Sequence, residues 1–238
     1  TGRIIVDITA SELIRRGLLP KPIISMIRFK HKRQALTKID PVTGKASKVK
    51  YKEFYDDTIV NNTERNLLIA NLARQHIEKN ESVLIVVQRI KHGENIAQEL
   101  QKVFGNKVRF VCGDDDSELL QSTLKELHEK TLLCAIATGV YKEGVDIPSL
   151  NVLVIASAHD SSVLSLQLVG RVLRKGDNKD TVPVYDIYDY GCRWLPEHSN
   201  NRIRVYKTEE EFVVKEIDYD DSFKRSFNAE HNDTGIPS

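Results

Sequence analysis

The sequence is short of the features that mark secreted, membrane and metal-binding proteins. Cysteine is scarce: Cys112, Cys134 and Cys192 are odd in number, far apart and form no CxxC pair. That excludes a full disulfide framework and the usual zinc spacings, and leaves reduced, mostly buried thiols as the expectation. No uninterrupted apolar run approaches the roughly 20 residues of a membrane-spanning helix. The opening TGRIIVDITASEL has neither the charged nor the long apolar region of a signal peptide. It starts with Thr, which reads as a fragment or a processed chain, and the expected setting is cytoplasmic or nucleoid-associated with no membrane partner. The seven histidines show no HExxH or paired ligand spacing, so no metal site is expected, and His92, His128, His159 and His198 read as structural. No GxGxxG follows a strand, which disfavours a dinucleotide-dependent enzyme.

What is present is an ordinary globular composition, 40% hydrophobic and 29% charged over 238 residues. That suffices for one α/β domain with extensions or two small domains. The net charge of +1 conceals a strong polarity. Between Lys21 and Lys52 ten Lys and Arg face the single acid Asp40, a local charge of +9, while residues 207–238 carry −5. A concentrated basic segment is the footprint of a polyanion partner; a solvated surface loop is the alternative. Lys30, Lys32 and Arg33 form its densest part.

The middle of the chain alternates short β-type runs with helical patterns. Val83–Val87, Val108–Val111, Leu132–Ala137, Val152–Ala156 and Val182–Ile187 are continuous apolar runs, expected as strands buried on both faces. Helices are expected over Thr63–Lys79 with Asn61 as its cap, over Gly93–Phe104, over Ser117–Glu129 capped by Ser117, and over Ser161–Arg174. The alternation predicts an α/β fold of three layers, an open and mainly parallel sheet between helices. Residues 40–45, DPVTGK, read as a turn. The chain divides into a linker or domain edge (1–25), a basic appended segment (26–62), the α/β domain (63–206) and an acidic, partly disordered tail (207–238).

Two segments lie where ligands sit in open α/β sheets, beyond the carboxyl ends of strands. Residues 137–148, ATGVYKEGVDIP, combine the hydroxyl of Thr138 and the glycines Gly139 and Gly144 with a lone acid, Asp146. That suits a loop close to phosphates or a ribose, and equally a tight turn with a capping Asp. In QLVGRVLR (167–174), Gln167, Gly170, Arg171 and Arg174 share one helical face, with Val163, Leu166, Val169 and Leu173 on the other. Two guanidinium groups over a glycine gap suit a phosphate, whereas a solvated basic face would not explain the Gln and Gly in register. Trp194, Tyr188, Tyr190 and Tyr206 could stack on bases or pack inside. The run Asp114-Asp-Asp116 reads as a helix cap.

In this order the two segments resemble motifs V and VI of superfamily 2 helicases. VLIVVQRIKHGENIAQEL (83–100) resembles motif IV, and FVCG (110–113) the short strand that follows it. IVNNTERN (59–66) and YDYGCRWLPEHSNNRIRVY (188–206) resemble the XPB-like branch and phage-type repair and recombination helicases. The resemblance implies a C-terminal RecA-like lobe of an ATP-dependent nucleic-acid helicase, with DNA the expected substrate. It implies Arg171 and Arg174 as arginine fingers and Gln167 as the group positioning the nucleotide or attacking water. Gly144, Asp146 and Gly170 would lie against the nucleotide; Gln88, Arg89, Gly113, Thr138 and Gly139 would touch the nucleic-acid backbone. No GxxxxGK[ST] and no DEAD- or DEAH-type box occurs. ATP and Mg²⁺ are therefore expected on an N-terminal lobe of the same protein, and this chain alone is expected to be inactive. A nucleic-acid-binding module on a RecA-like lobe, with no ATPase role, is the alternative.

Overall fold

In the computed structural model, which describes residues 9–32, 37–39, 41–113, 115, 117–138, 150–160, 166, 169–170 and 180–219, the continuous apolar runs become parallel strands. Seven strands form one sheet in the order β5 (Val108–Val111), β6 (Cys134–Thr138), β4 (Val83–Val87), β7 (Val152–Ile155), β8 (Thr181–Tyr190), β1 (Lys21–Lys30) and β9 (Val213–Asp218). Every neighbouring pair is parallel. Because a strand's side chains alternate between faces, one run serves two cores. Val83, Ile85 and Val87 of β4 pack with Ile69, Ala73 and Ile77 of α3 (Thr63–Ile77) and with Ile96 and Leu100 of α4 (Ile90–Phe104). Leu84 and Val86 pack on the other side. Their partners there are Leu120, Leu124 and Leu127 of α5 (Ser117–His128) and Ile203 and Tyr206 of α6 (Leu195–Tyr206). Each fully buried Ile, Leu or Val contributes about 1.5–3 kcal/mol, so these two layers dominate the fold's stability. Gly93 is where α4 lies closest to the sheet: a Cβ there would sit 2.2 Å from the Phe110 ring.

Strands at both ends of the domain cross the expected divisions of the chain. The expected boundary between residues 25 and 26 falls inside β1, a largely buried strand held between β8 and β9 rather than part of an appended segment. The residues expected as an acidic tail likewise supply β9 before the described chain ends at Tyr219. Pro22 and Pro183 are tolerated in such strands because both sit at the sheet's starting margin. Pairing of β1 with β9 begins only at Ile23, and pairing of β8 with β7 only at Val184, so neither proline faces two partners.

Between β1 and α3 the chain makes an exposed hairpin, β2 (Thr37–Ile39) with β3 (Ala46–Lys48), turning through 41–44 as expected. It then forms α2 (Tyr51–Tyr55), which runs on into a π-helical turn, Asp56–Val60. Phe54, Tyr55, Ile59 and Val60 close over Ala158 and Leu195, a third small core at the carboxyl edge of the sheet. No described helix is long and apolar enough to cross a membrane.

Candidate nucleotide and nucleic-acid interface

Since all seven strands are parallel, their carboxyl ends share one edge. Thr138 ends β6, and its hydroxyl accepts a hydrogen bond from the Gly113 N–H, just beyond β5, at 3.3 Å. Asp115 shapes that loop by accepting from the Cys112 N–H at 2.6 Å. Val87, the last residue of β4, is in register with Thr138, so the exposed Gln88 and Arg89 emerge beside it. The fold thus brings Gln88, Arg89, Gly113 and Thr138 to one stretch of edge. Gly139 lies outside the described residues, as do Gly144, Asp146, Gln167, Arg171, Arg174 and Arg33.

Of the helix expected over Ser161–Arg174, three residues are described, and all three are helical. Val169 is fully buried, and Leu166 packs against the same core. Gly170 is exposed, and a Cβ added there would meet nothing within 4 Å.

Lys30 and Lys32 stand where β1 ends, on the same edge. Three strand spacings, about 14 Å, separate β1 from β4. With Phe29, His31 and the first turn of α3 they line a cavity of about 390 Å³. Neither has an ion-pair partner among the described residues. Other cations of the basic segment do: Lys21 pairs with Glu211, Lys38 with Glu53, and Arg28 with Glu216 and Asp218.

The same edge holds two buried ion pairs that the sequence reading did not single out. Arg65, near the start of α3, grips Asp189 of β8 with two bonds of 2.8 and 3.0 Å, and His31 Nε2 donates to the same carboxylate at 2.7 Å. Arg202 of α6 grips Asp186 at 2.9 and 3.0 Å, and the Tyr206 hydroxyl donates to it at 2.8 Å. Burial alone would raise the Asp189 carboxyl, but Arg65 and His31 overcome it and hold it far below the usual carboxylate range. Burial likewise would lower Arg202, and Asp186 overrides it, raising the guanidinium above its ordinary value. The overlooked signal is the pair of acids in VPVYDIYDY: a carboxylate in a strand buried on both faces requires a buried cation.

The aromatic residues resolve towards packing. Tyr206 is buried, and Trp194 packs edge-on against Phe54 and Tyr51, with ring centroids 4.9 and 5.6 Å apart. Tyr188 and Tyr190 lie under the Arg28 guanidinium at 4.9 and 5.0 Å.

Residues 63–176 match the family described as the helicase conserved C-terminal domain. The chain is 26% identical over 234 residues to the ATP-dependent DNA helicase uvsW of Enterobacteria phage T4, covering 91% of this chain and 45% of that protein. The crystal structure of T4 UvsW superposes with a TM-score of 0.63 at 24% identity, over 84% of this chain and 42% of that one. The C-terminal domain of the DEAD-box protein Dbp5 superposes with a TM-score of 0.53 at 17% identity, over 72% of this chain and 92% of that domain. Residues 63–176 are a helicase conserved C-terminal domain, and the lobe has the RecA-like fold of such domains. A further relative, putative helicase 161L of Invertebrate iridescent virus 6, is 29% identical over 158 residues, covering 61% of this chain and 34% of that protein. The lobe spans less than half the length of these relatives, 45% and 34%.

Proposed function

We propose that this superfamily 2 lobe is the C-terminal motor half of an ATP-dependent DNA helicase or translocase. An N-terminal lobe of the same protein holds the ATP phosphates and Mg²⁺, and this lobe presents Arg171 and Arg174 to them. Gly170 carries the reading. A glycine inside a helix costs about 1 kcal/mol relative to alanine, and nothing among the described residues requires one there. On the helical spacing of the sequence, Gln167, Arg171 and Arg174 would share the exposed face of Gly170, a face suited to a body outside the lobe. Bound ATP supplies a γ-phosphoryl group whose negative charge spreads in the transition state. Two fixed guanidinium groups are suited to neutralise that charge, and Gln167 to orient the nucleotide or the attacking water. Gly144 and Asp146 complete the nucleotide side, Asp146 as an acceptor for ribose hydroxyls.

The nucleic-acid side is the stretch of Gln88, Arg89, Gly113, Thr138 and Gly139, with Lys30, Lys32 and Arg33 further along the edge. A side-chain amide, a hydroxyl and cations suit phosphate oxygens, which position a strand without reading its bases. DNA is favoured because a relative aligned along 91% of this chain is named a DNA helicase.

In the full-length protein, Arg171→Ala or Arg174→Ala should lower kcat for DNA-stimulated ATP hydrolysis by on the order of 10³–10⁵. DNA affinity should stay within a few-fold. A fall in kcat of less than about tenfold in both variants would remove these arginines from catalysis and favour the non-catalytic binding module.

A further inference from the structure

The two buried ion pairs converge on one short segment. Residues 156–160 join the end of β7 to the stretch that carries Gln167, Gly170, Arg171 and Arg174. Arg65 donates through Nη1 to the Ala156 carbonyl at 2.9 Å, and Arg202 through Nη1 to the His159 carbonyl at 2.8 Å. His198 Nδ1 donates to the carbonyl between them, Ala158, at 3.2 Å. Ser157 Oγ and His159 Nδ1 are 2.7 Å apart, and the Ala156 and Ser157 N–H groups both donate to Val86.

The geometry has a simple origin. Asp186 and Asp189 are three residues apart on β8, so their side chains leave opposite faces of the strand. Each holds an arginine from a different helical layer, Arg65 of α3 on one face and Arg202 of α6 on the other. Each arginine then uses a remaining N–H for a backbone carbonyl of the same five residues. A pair of arginines anchored from two layers fixes both the position and the direction of the segment between them.

Such pairs are weak evidence of stabilisation. Removing two charges from water costs several kcal/mol per ion, and well-packed apolar residues often serve a core as well. What apolar residues cannot supply is a directed donor to a chosen carbonyl.

We propose that Arg65 and Arg202 are positioning residues that set the trajectory of the helix bearing Gln167, Arg171 and Arg174. The inference rests on the proposed role of those arginines. Neither Arg65 nor Arg202 touches substrate; each acts through the segment 156–160. Misplacing a catalytic group by about 1 Å can cost on the order of 10²-fold in rate, even when the mutation lies far from the chemistry.

The test uses Arg65→Lys and Arg202→Lys in the full-length protein. Lysine keeps the charge beside each aspartate, but one ammonium cannot span the carboxylate and the distant carbonyl together. The expected result is a fall in kcat for DNA-stimulated ATP hydrolysis of roughly tenfold to a hundredfold. KM for ATP and DNA affinity should be nearly unchanged. The melting temperature should fall, because each variant leaves a buried carbonyl without its donor, so kcat is read well below it. Arg204→Lys, an exposed arginine on the same helix, should behave as wild type. Arg174→Ala in the same assay separates the two readings. If it lowers kcat while both lysine variants retain full kcat, the positioning role is wrong and the arginine-finger role stands. If it also leaves kcat intact, the proposed function fails and takes this inference with it. Should Arg202→Lys prove unstable, the neutral pair Asp186→Asn with Arg202→Gln, assayed below its melting temperature, replaces it. Full kcat in that pair would equally overturn the proposal.

Discussion

A guanidinium carries five N–H donors, and at Arg65 and Arg202 the interior supplies a carboxylate and backbone oxygens for them. His92, equally buried, shows the opposite solution. Asn66 donates to the Val60 carbonyl, which turns its own oxygen towards His92 Nε2 at 3.0 Å. Nε2 is therefore the protonated nitrogen, and Nδ1 has no partner among the described residues. Burial, with Arg65 adding to it, pushes the His92 ring down to about 3. The folded value lies below the ordinary imidazole value of about 6.5, so the unfolded chain takes up a proton first as pH falls. The stability that depends on an uncharged His92 is complete above about pH 6.5 and is lost progressively towards pH 3. His92→Gln keeps the donor and removes the titration. Denaturant unfolding between pH 6 and 4 should therefore show a shallower acid loss for the variant, by up to about 1.4 kcal/mol per pH unit. Parallel stability–pH curves would mean that His92 is protonated in the fold.

At the scale of elements, α3 shows how finely a helix start is placed. A cap was expected at Asn61, but the side chain that accepts the Arg65 N–H, at 3.0 Å, belongs to Asn62. The π-helical turn ending at Val60 carries the chain one residue further before α3 begins. Asn62→Ala should cost about 1 kcal/mol of unfolding free energy, read from denaturant midpoints. The exposed Asn61→Ala should cost less than about half of that, and equal effects at the two positions would refute the assignment. The central strands were legible because a stretch such as VLIVV has no other soluble use, and β4 and β5 occupy the expected residues. β1 was not legible. Pro22 and its lysine ends disguised it, and its alternating burial becomes visible only once β8 and β9 flank it. β9 was hidden by the acids Glu216 and Asp218, whose partner Arg28 lies 188 or more residues away in sequence. The edge carrying Gln88, Gly113 and Thr138 could be anticipated because it follows from strand ends. The grip of Arg65 and Arg202 could not, since each arginine joins three separated segments of chain. The placements of Gln167, Arg171 and Arg174 fall outside the described residues.

Across the whole molecule, folding divides the basic segment into two populations. Lys21, Arg28 and Lys38 are neutralised by acids at 211–218 and at Glu53. Lys30, Lys32, Lys45, Lys48, Lys50 and Lys52 have no ion pair among the described residues, and of these Lys30 and Lys32 sit on the carboxyl edge of the sheet. If Lys30, Lys32 and Arg33 follow a phosphate backbone, each phosphate they neutralise releases counterions. The logarithm of affinity then falls linearly with the logarithm of salt, by about 0.9 per contact on duplex and about 0.7 on single strands. Changing the three together to Gln should flatten that slope by roughly two to three units. The loss should be nearly the same for unrelated sequences, because phosphate contacts do not read bases. Arg28→Gln is the internal comparison. Its guanidinium is held by Glu216 and Asp218 over two tyrosine rings, so the slope should not change. A slope altered by Arg28→Gln and unaffected by the triple variant would move the backbone contact away from Lys30 and Lys32, leaving the Gln88, Gly113 and Thr138 edge as the candidate for it.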